Sequence, residues 1–167
     1  AIARGLPGEL DARRIGSITG KQANNGSTDN CGIAAYAVDK TDYTCSDFGN
    51  PGTVALTVTA ENGNPPTDAF TVTVQDNVAP VAIAQDLTVQ LDASGNGSIT
   101  GTQANNGSTD NCGIASYAVD KTEYTCSDVG TPSTVTLTVT DDNGKNSNDS
   151  FTVTVQENVA PVAIPKD

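Results

Sequence analysis

The sequence predicts two tandem all-β modules, each an antiparallel sandwich with Greek-key connections, and three observations carry that prediction. Apolar residues alternate with threonine at a period of two through the second half of each module. Asn-Gly turns divide the alternating runs. The pattern is then written twice. Cys31, Tyr36, Cys45 and Phe70 recur 81 residues later as Cys112, Tyr117, Cys126 and Phe151, with no gap needed.

Repetition at a domain-sized period means an array of similar modules. The boundaries fall where Pro interrupts an extended run, at Val78-Ala79-Pro80 and at Val159-Ala160-Pro161. The expected domains are residues 1–78, residues 79–159 and the start of a third module at 160–167. The chain opens at the equivalent of Ala82 and closes at the equivalent of Asp86, so the native polypeptide is expected to continue in register. One stretch departs from the repeat. Arg4 to Ile15 (RGLPGELDARRI) stands where the second copy reads QDLTVQLDASGN, and Gly8 replaces Val89.

Along the second module, Leu87, Val89 and Leu91 predict an opening strand, and Gly97 to Gly101 predict a short one around Ile99. Ile114 to Val119 is another, turning at Asp120-Lys121-Thr122 towards Tyr124. Val135, Leu137 and Val139 then alternate with Thr134, Thr136, Thr138 and Thr140, which reads as a half-buried strand with threonine outward. After Asn143-Gly144, Phe151, Val153 and Val155 alternate with Thr152 and Thr154. The first module repeats this with Val54, Leu56 and Val58, then Asn62-Gly63, then Phe70, Val72 and Val74. No sustained helical period interrupts the pattern. About six or seven short strands in about 80 residues make a sandwich.

Composition limits what such a chain does. Hydrophobic residues are 36% and aromatics 4%, so each core is small, built from Val, Ile, Leu and Ala, and in need of a cross-link. The net charge of −12 repels phosphate backbones and anionic membranes, which argues against nucleic-acid binding, and it attracts divalent cations. No run approaches the roughly 18 apolar residues of a membrane span, so no membrane insertion is expected. Without a single His, neither a Ser-His-Asp nor a Cys-His arrangement is available.

All four cysteines lie in the twice-written segment, each pair spaced by 14 residues around a stretch expected to fold back as a hairpin. Even number and paired placement imply disulfides and an oxidising, extracellular setting. Four cysteines permit three connectivities, and the repeat favours Cys31–Cys45 and Cys112–Cys126. Each such loop would stabilise its module by about 3 kcal/mol. A zinc site would need CxxC pairs or His partners, and there are none.

The motifs NGSTDNCGI, YTCSD followed by Val or Phe and Gly, TVTLTVTDDNG, and FTVTVQ(D/E)NVAPV together resemble hyalin-repeat (HYR-like) and immunoglobulin-like modules of large secreted proteins from Bacteroidota, including gliding and surface adhesins. The likeness covers the chain apart from Arg4 to Ile15. It implies an immunoglobulin-like sandwich, export by the type IX route, and a place on the cell surface or in an extracellular fibril.

Oxygen-rich clusters make calcium a candidate ligand: Asp76 and Asn77 at the module junction, and Asp141, Asp142 and Asn143 in a turn. Asp29-Asn30 and Asp110-Asn111 beside the first cysteine of each module are similar. Asp and Asn also favour turns on their own account, and Lys145 at the third ligand position removes an EF-hand spacing. Ser150, in an Asp-Ser-Phe context, is a candidate O-glycosylation site; Asn25 and Asn106 match the N-glycosylation acceptor. The paired carboxylates Asp141-Asp142 become Ala60-Glu61 in the first copy, which speaks against acid–base catalysis and an enzyme. The expected function is therefore a structural repeat module, a disulfide-stapled spacer or stalk whose partners are neighbouring repeats of the same chain or fibre. Two alternatives stand beside it. One is an adhesive module binding a surface glycan or protein; the other is a strand-exchange filament subunit donating Ala1 to Ile15. Few exposed aromatics argue against a carbohydrate platform, since Tyr36, Tyr43, Tyr117 and Tyr124 recur identically and fit packing on the disulfide hairpin equally well.

Overall fold

Period-two patterning becomes paired strands throughout the computed structural model, which describes every residue except 12, 13, 162 and 165–167. The chain divides into two units, Ala1–Val78 and Ala79–Asp167. The expected start of a third module, 160–167, lies in large part outside the described residues.

In the first unit the strands are β1 (Leu6–Leu10), β2 (Ile15–Ser17), β3 (Ile33–Val38), β4 (Asp42–Thr44), β5 (Gly52–Ala60) and β6 (Thr67–Asp76). A single helical turn, α1 (Gly20–Ala23), follows β2. One sheet has the order β1-β6-β5-β3 and the other pairs β2 with β4. The second unit repeats every element: β7 (Leu87–Gln90), β8 (Asn96–Ser98), α2 (Gly101–Ala104), β9 (Ile114–Val119), β10 (Glu123–Thr125), β11 (Ser133–Asp141) and β12 (Asn146–Gln156). Its sheets run β7-β12-β11-β9 and β8-β10. All pairings are antiparallel except that the opening strand lies parallel to the last, β1 on β6 and β7 on β12. Each module is thus an all-β, immunoglobulin-like sandwich.

Alternation places one face of each long strand inside. Val135, Leu137 and Val139 are 0–1% exposed and meet Phe151, Val153 and Val155 from β12, while Ile99 and Tyr124 close the core from the other side. Burying each such side chain contributes about 1.5–3 kcal/mol. The Asn-Gly turns form as the sequence requires, with Gly63 at φ 84° and Gly144 at φ 85°, where a Cβ would be strained.

The segment between the two cysteines of a module departs from the expected hairpin. β3 pairs with β5, whereas β4 pairs with β2 in the opposite sheet, so the chain crosses the sandwich at Asp39-Lys40-Thr41. Tyr43 and Tyr124, on the short strands, are 2% and 1% exposed core residues rather than packing for a disulfide.

The divergent stretch still makes its strand. Arg4 donates from its backbone N to Ala23 O (3.1 Å) and from Nε to Gln22 O (3.0 Å). In the second copy Gln85 makes the same two bonds, to Ala104 O (3.0 Å) and from Nε2 to Gln103 O (2.9 Å). β1 pairs within its own module, from Leu6 opposite Val72 to Leu10 opposite Asp76, which is where a donated strand would have to come from.

Candidate functional site

The twice-written segment builds two distinct poles on each module. At one pole Asp110 forms an Asx turn, its Oδ2 accepting from Cys112 N (2.7 Å) and Gly113 N (2.9 Å). Asp142 N then donates to Gly113 O (3.3 Å), which holds the Cys112 loop beside the β11–β12 turn. The first copy does the same: Asp29 Oδ2 accepts from Cys31 N (3.0 Å), and Glu61 N donates to Gly32 O (3.1 Å).

The second cysteine of each module opens a 3-10 turn, Cys45–Asp47 or Cys126–Asp128. Asp128 Oδ2 accepts from Thr125 N (2.8 Å) and its Oδ1 meets Lys121 Nζ at 2.6 Å. Asp47 does likewise with Thr44 N (2.9 Å) and Lys40 Nζ (2.5 Å). The lysine hydrogen bond, followed by the threonine amide, holds both carboxyl groups below the ordinary aspartate value. Lys121 also lies 4.5 Å from the centre of the Tyr124 ring, and Lys40 4.8 Å from that of Tyr43. These Lys–Asp pairs escaped the reading of the sequence, although Lys-Thr-x-Tyr-Thr-Cys-Ser-Asp carries them in both copies.

The two poles are opposite ends of the sandwich. Cys112 stands by the turn that begins β12, whereas Val129, just past the 3-10 turn, bridges to Val155 near the end of β12. An 11-residue strand at about 3.3 Å per residue puts roughly 30 Å between those ends. A disulfide needs Cα atoms about 4.4–6.8 Å apart. The expected Cys31–Cys45 and Cys112–Cys126 pairs are therefore corrected: Cys45 and Cys112 are disulfide-bonded, while Cys31 and Cys126 are exposed free thiols.

The other candidate residues take these places. Asp76, at the end of β6, is 3% exposed and its Oδ1 accepts from Val78 N (2.9 Å); Asn77 follows it on the surface. Asp141 is 2% exposed and its Oδ1 accepts from Asn143 N (2.9 Å) and Lys145 N (2.8 Å), with Asp142 exposed beside it. These carboxylates organise turns. Among the described residues no group of three or more His, Cys, Asp or Glu side chains is placed to hold a metal ion. Asn25 and Asn106 are exposed after the short helices, and Ser150 is exposed on β12.

No protein-family model matches the chain, and no curated protein matches it. Solved structures do. Human mucin-like protocadherin EC1-2 aligns at 13% identity over 92% of this chain and 96% of that one, with a TM-score of 0.37. Protocadherin gamma C5 EC1-3 aligns at 9% identity over 93% of this chain and 66% of that one, TM-score 0.39. The titin I-band fragment I67-I69 aligns at 12% over 93% and 64%, TM-score 0.34. The chain spans 32% of the protocadherin gamma B4 ectodomain and 55% of the mouse PcdhgC3 EC1-3 structure. The sandwich assignment rests on the strand orders and registers above. Among the described residues no helix is long and apolar enough to cross a membrane.

Proposed function

We propose that this chain is a non-enzymatic structural repeat of an extracellular adhesin or fibril, a disulfide-bearing spacer. The oxidised state of Cys45 and Cys112 carries the reading, because structural disulfides persist in oxidising compartments. The acidic charge supports it by keeping repeated modules soluble and apart. The hyalin-repeat resemblance of NGSTDNCGI and FTVTVQ(D/E)NVAPV supports a bacterial surface setting with type IX export. Absence of His from the whole sequence supports a mechanical rather than a chemical role.

The test is a glycan array together with a pull-down of surface proteins on the two-module chain. A spacer gives no saturable binding. Saturable capture of one glycan or one protein replaces the spacer reading with that of a ligand-binding module.

A further inference from the structure

Each module presents one cysteine at either pole, and in each module one cysteine is oxidised and the other free, at opposite positions in the two modules. The oxidised residues are Cys45, at the second position, and Cys112, at the first. The free thiols are the complementary pair, Cys31 at the first position and Cys126 at the second. Local structure around the free thiols is already that of the bonded ones. Cys31 sits in the same Asx turn as Cys112, and Cys126 opens the same 3-10 turn as Cys45. Neither thiol can reach the other cysteine of its own module, since the poles stand at opposite ends of the sandwich.

The Cys126 thiol borders concave surface. Exposed Cys126 donates to Gly95 O at 3.8 Å and edges an open cavity of about 650 Å³, whose rim includes Asp92, Val129, Glu157 and Pro161. Val129 is 41% and Val159 49% exposed there, so the rim offers uncovered apolar surface. Cys31 is exposed, and Asp29 and Ile33, two residues to either side of it, line a smaller hollow of about 210 Å³ with Ser27 and Asn62.

We propose that Cys126 and Cys31 are the two halves of an intermodular disulfide, joining the second-position pole of one copy of this chain to the first-position pole of another, head to tail. The inference rests on the spacer reading and deepens it, by assigning the link that makes modules into a covalent fibre. The chemistry is thiol–disulfide exchange with a small disulfide such as oxidised glutathione. The Cys126 thiolate attacks the glutathione disulfide, releasing one glutathione thiolate and leaving a mixed disulfide. The Cys31 thiolate of the second copy then attacks the Cys126 sulfur and expels the second glutathione. Two protein thiols are oxidised, two glutathione molecules are released reduced, and both protein protons end on them.

Cys31→Ser and Cys126→Ser change exposed side chains and leave one active half each, so the two variants test the link directly. At about 1 mM chain, an effective concentration that a short linker supplies, oxidised glutathione is added to each variant alone and to their mixture. The mixture is expected to give a single covalent dimer on a non-reducing gel, with Cys126 and Cys31 peptides linked. Each variant alone is expected to stay monomeric, and wild type to form a ladder. Equal dimer from either variant alone would mean indiscriminate thiol oxidation and would overturn the proposal, as would a mixture that ends as glutathione-capped monomer. Saturable glycan binding would overturn the spacer reading without affecting this result, so the two fail separately.

Discussion

Arg14 and Gly95 occupy one repeat position, and both have positive φ, 69° and 78°. The turn is the same in each copy: Arg14 N donates to Asp11 O and Gly95 N to Asp92 O, both at 2.9 Å. A residue with a Cβ costs about 1–2 kcal/mol in that region. Arg14→Gly is therefore expected to stabilise the first module by about 1 kcal/mol, read as a higher urea midpoint with an unchanged slope. Gly95→Ala should do the opposite in the second module, where the new Cβ would also come within 2.6 Å of Cys126 Sγ. At the same scale, Asp47 and Asp128 have depressed pKa values, first through the lysine hydrogen bond and then through the threonine amide. A carboxyl whose folded pKa lies below its unfolded one adds stability that is complete above the unfolded pKa. That stability is lost as pH falls through the folded value. Urea midpoints should thus fall below the ordinary aspartate range, and Asp47→Asn with Asp128→Asn should flatten that limb of the profile.

Single elements show which features the sequence made legible. The long strands β5, β6, β11 and β12 are readable because apolar residues recur at every second position, mostly with threonine between them, and the pleat turns alternation directly into burial. The 14-residue cysteine segment was not, because a hairpin and a crossing between sheets have the same length and the same turn residues. Only the pairing of β4 with β2 distinguishes them, and that contact is remote in sequence. The single-turn helices were also hidden, since four residues are too few to display a period. Thr100 and Gln103 nevertheless form a capping box over α2, with Gln103 N donating to Thr100 Oγ1 (3.3 Å) and Thr100 N to Gln103 Oε1 (2.8 Å). The glycine that opens α2 is there for space. A Cβ on Gly101 would lie 2.4 Å from Tyr117 O and 2.7 Å from Ala118 N, both backbone atoms of β9. Helix propensity alone favours Ala over Gly by about 1 kcal/mol. Overpacking against a strand costs about 1–3 kcal/mol, and it acts on a fixed backbone here. Gly101→Ala is expected to lower stability, and a higher denaturation midpoint would show that α2 can lift off the sheet.

For the whole molecule, charge and cross-linking govern behaviour. A net charge of −12 draws divalent cations weakly to every turn, yet Asp76 and Asp141 are already bound to turn amides. A site occupied at 100 times its Kd would add about 2.7 kcal/mol. The melting temperature is instead expected to be the same in chelator and in millimolar Ca²⁺. The cysteines give the decisive whole-chain measurement. Within a module the two poles are about 30 Å apart, several times the reach of a disulfide, so neither module can close its own pair. Denaturing the freshly purified chain without reductant and alkylating it should label two residues, Cys31 and Cys126, with Cys45 and Cys112 labelled only after reduction. Zero labelled residues in a monomeric chain would mean that Cys31 and Cys126 are oxidised as well, and would overturn their assignment as free thiols. Four labelled residues would remove the oxidised state of Cys45 and Cys112, on which the extracellular reading rests.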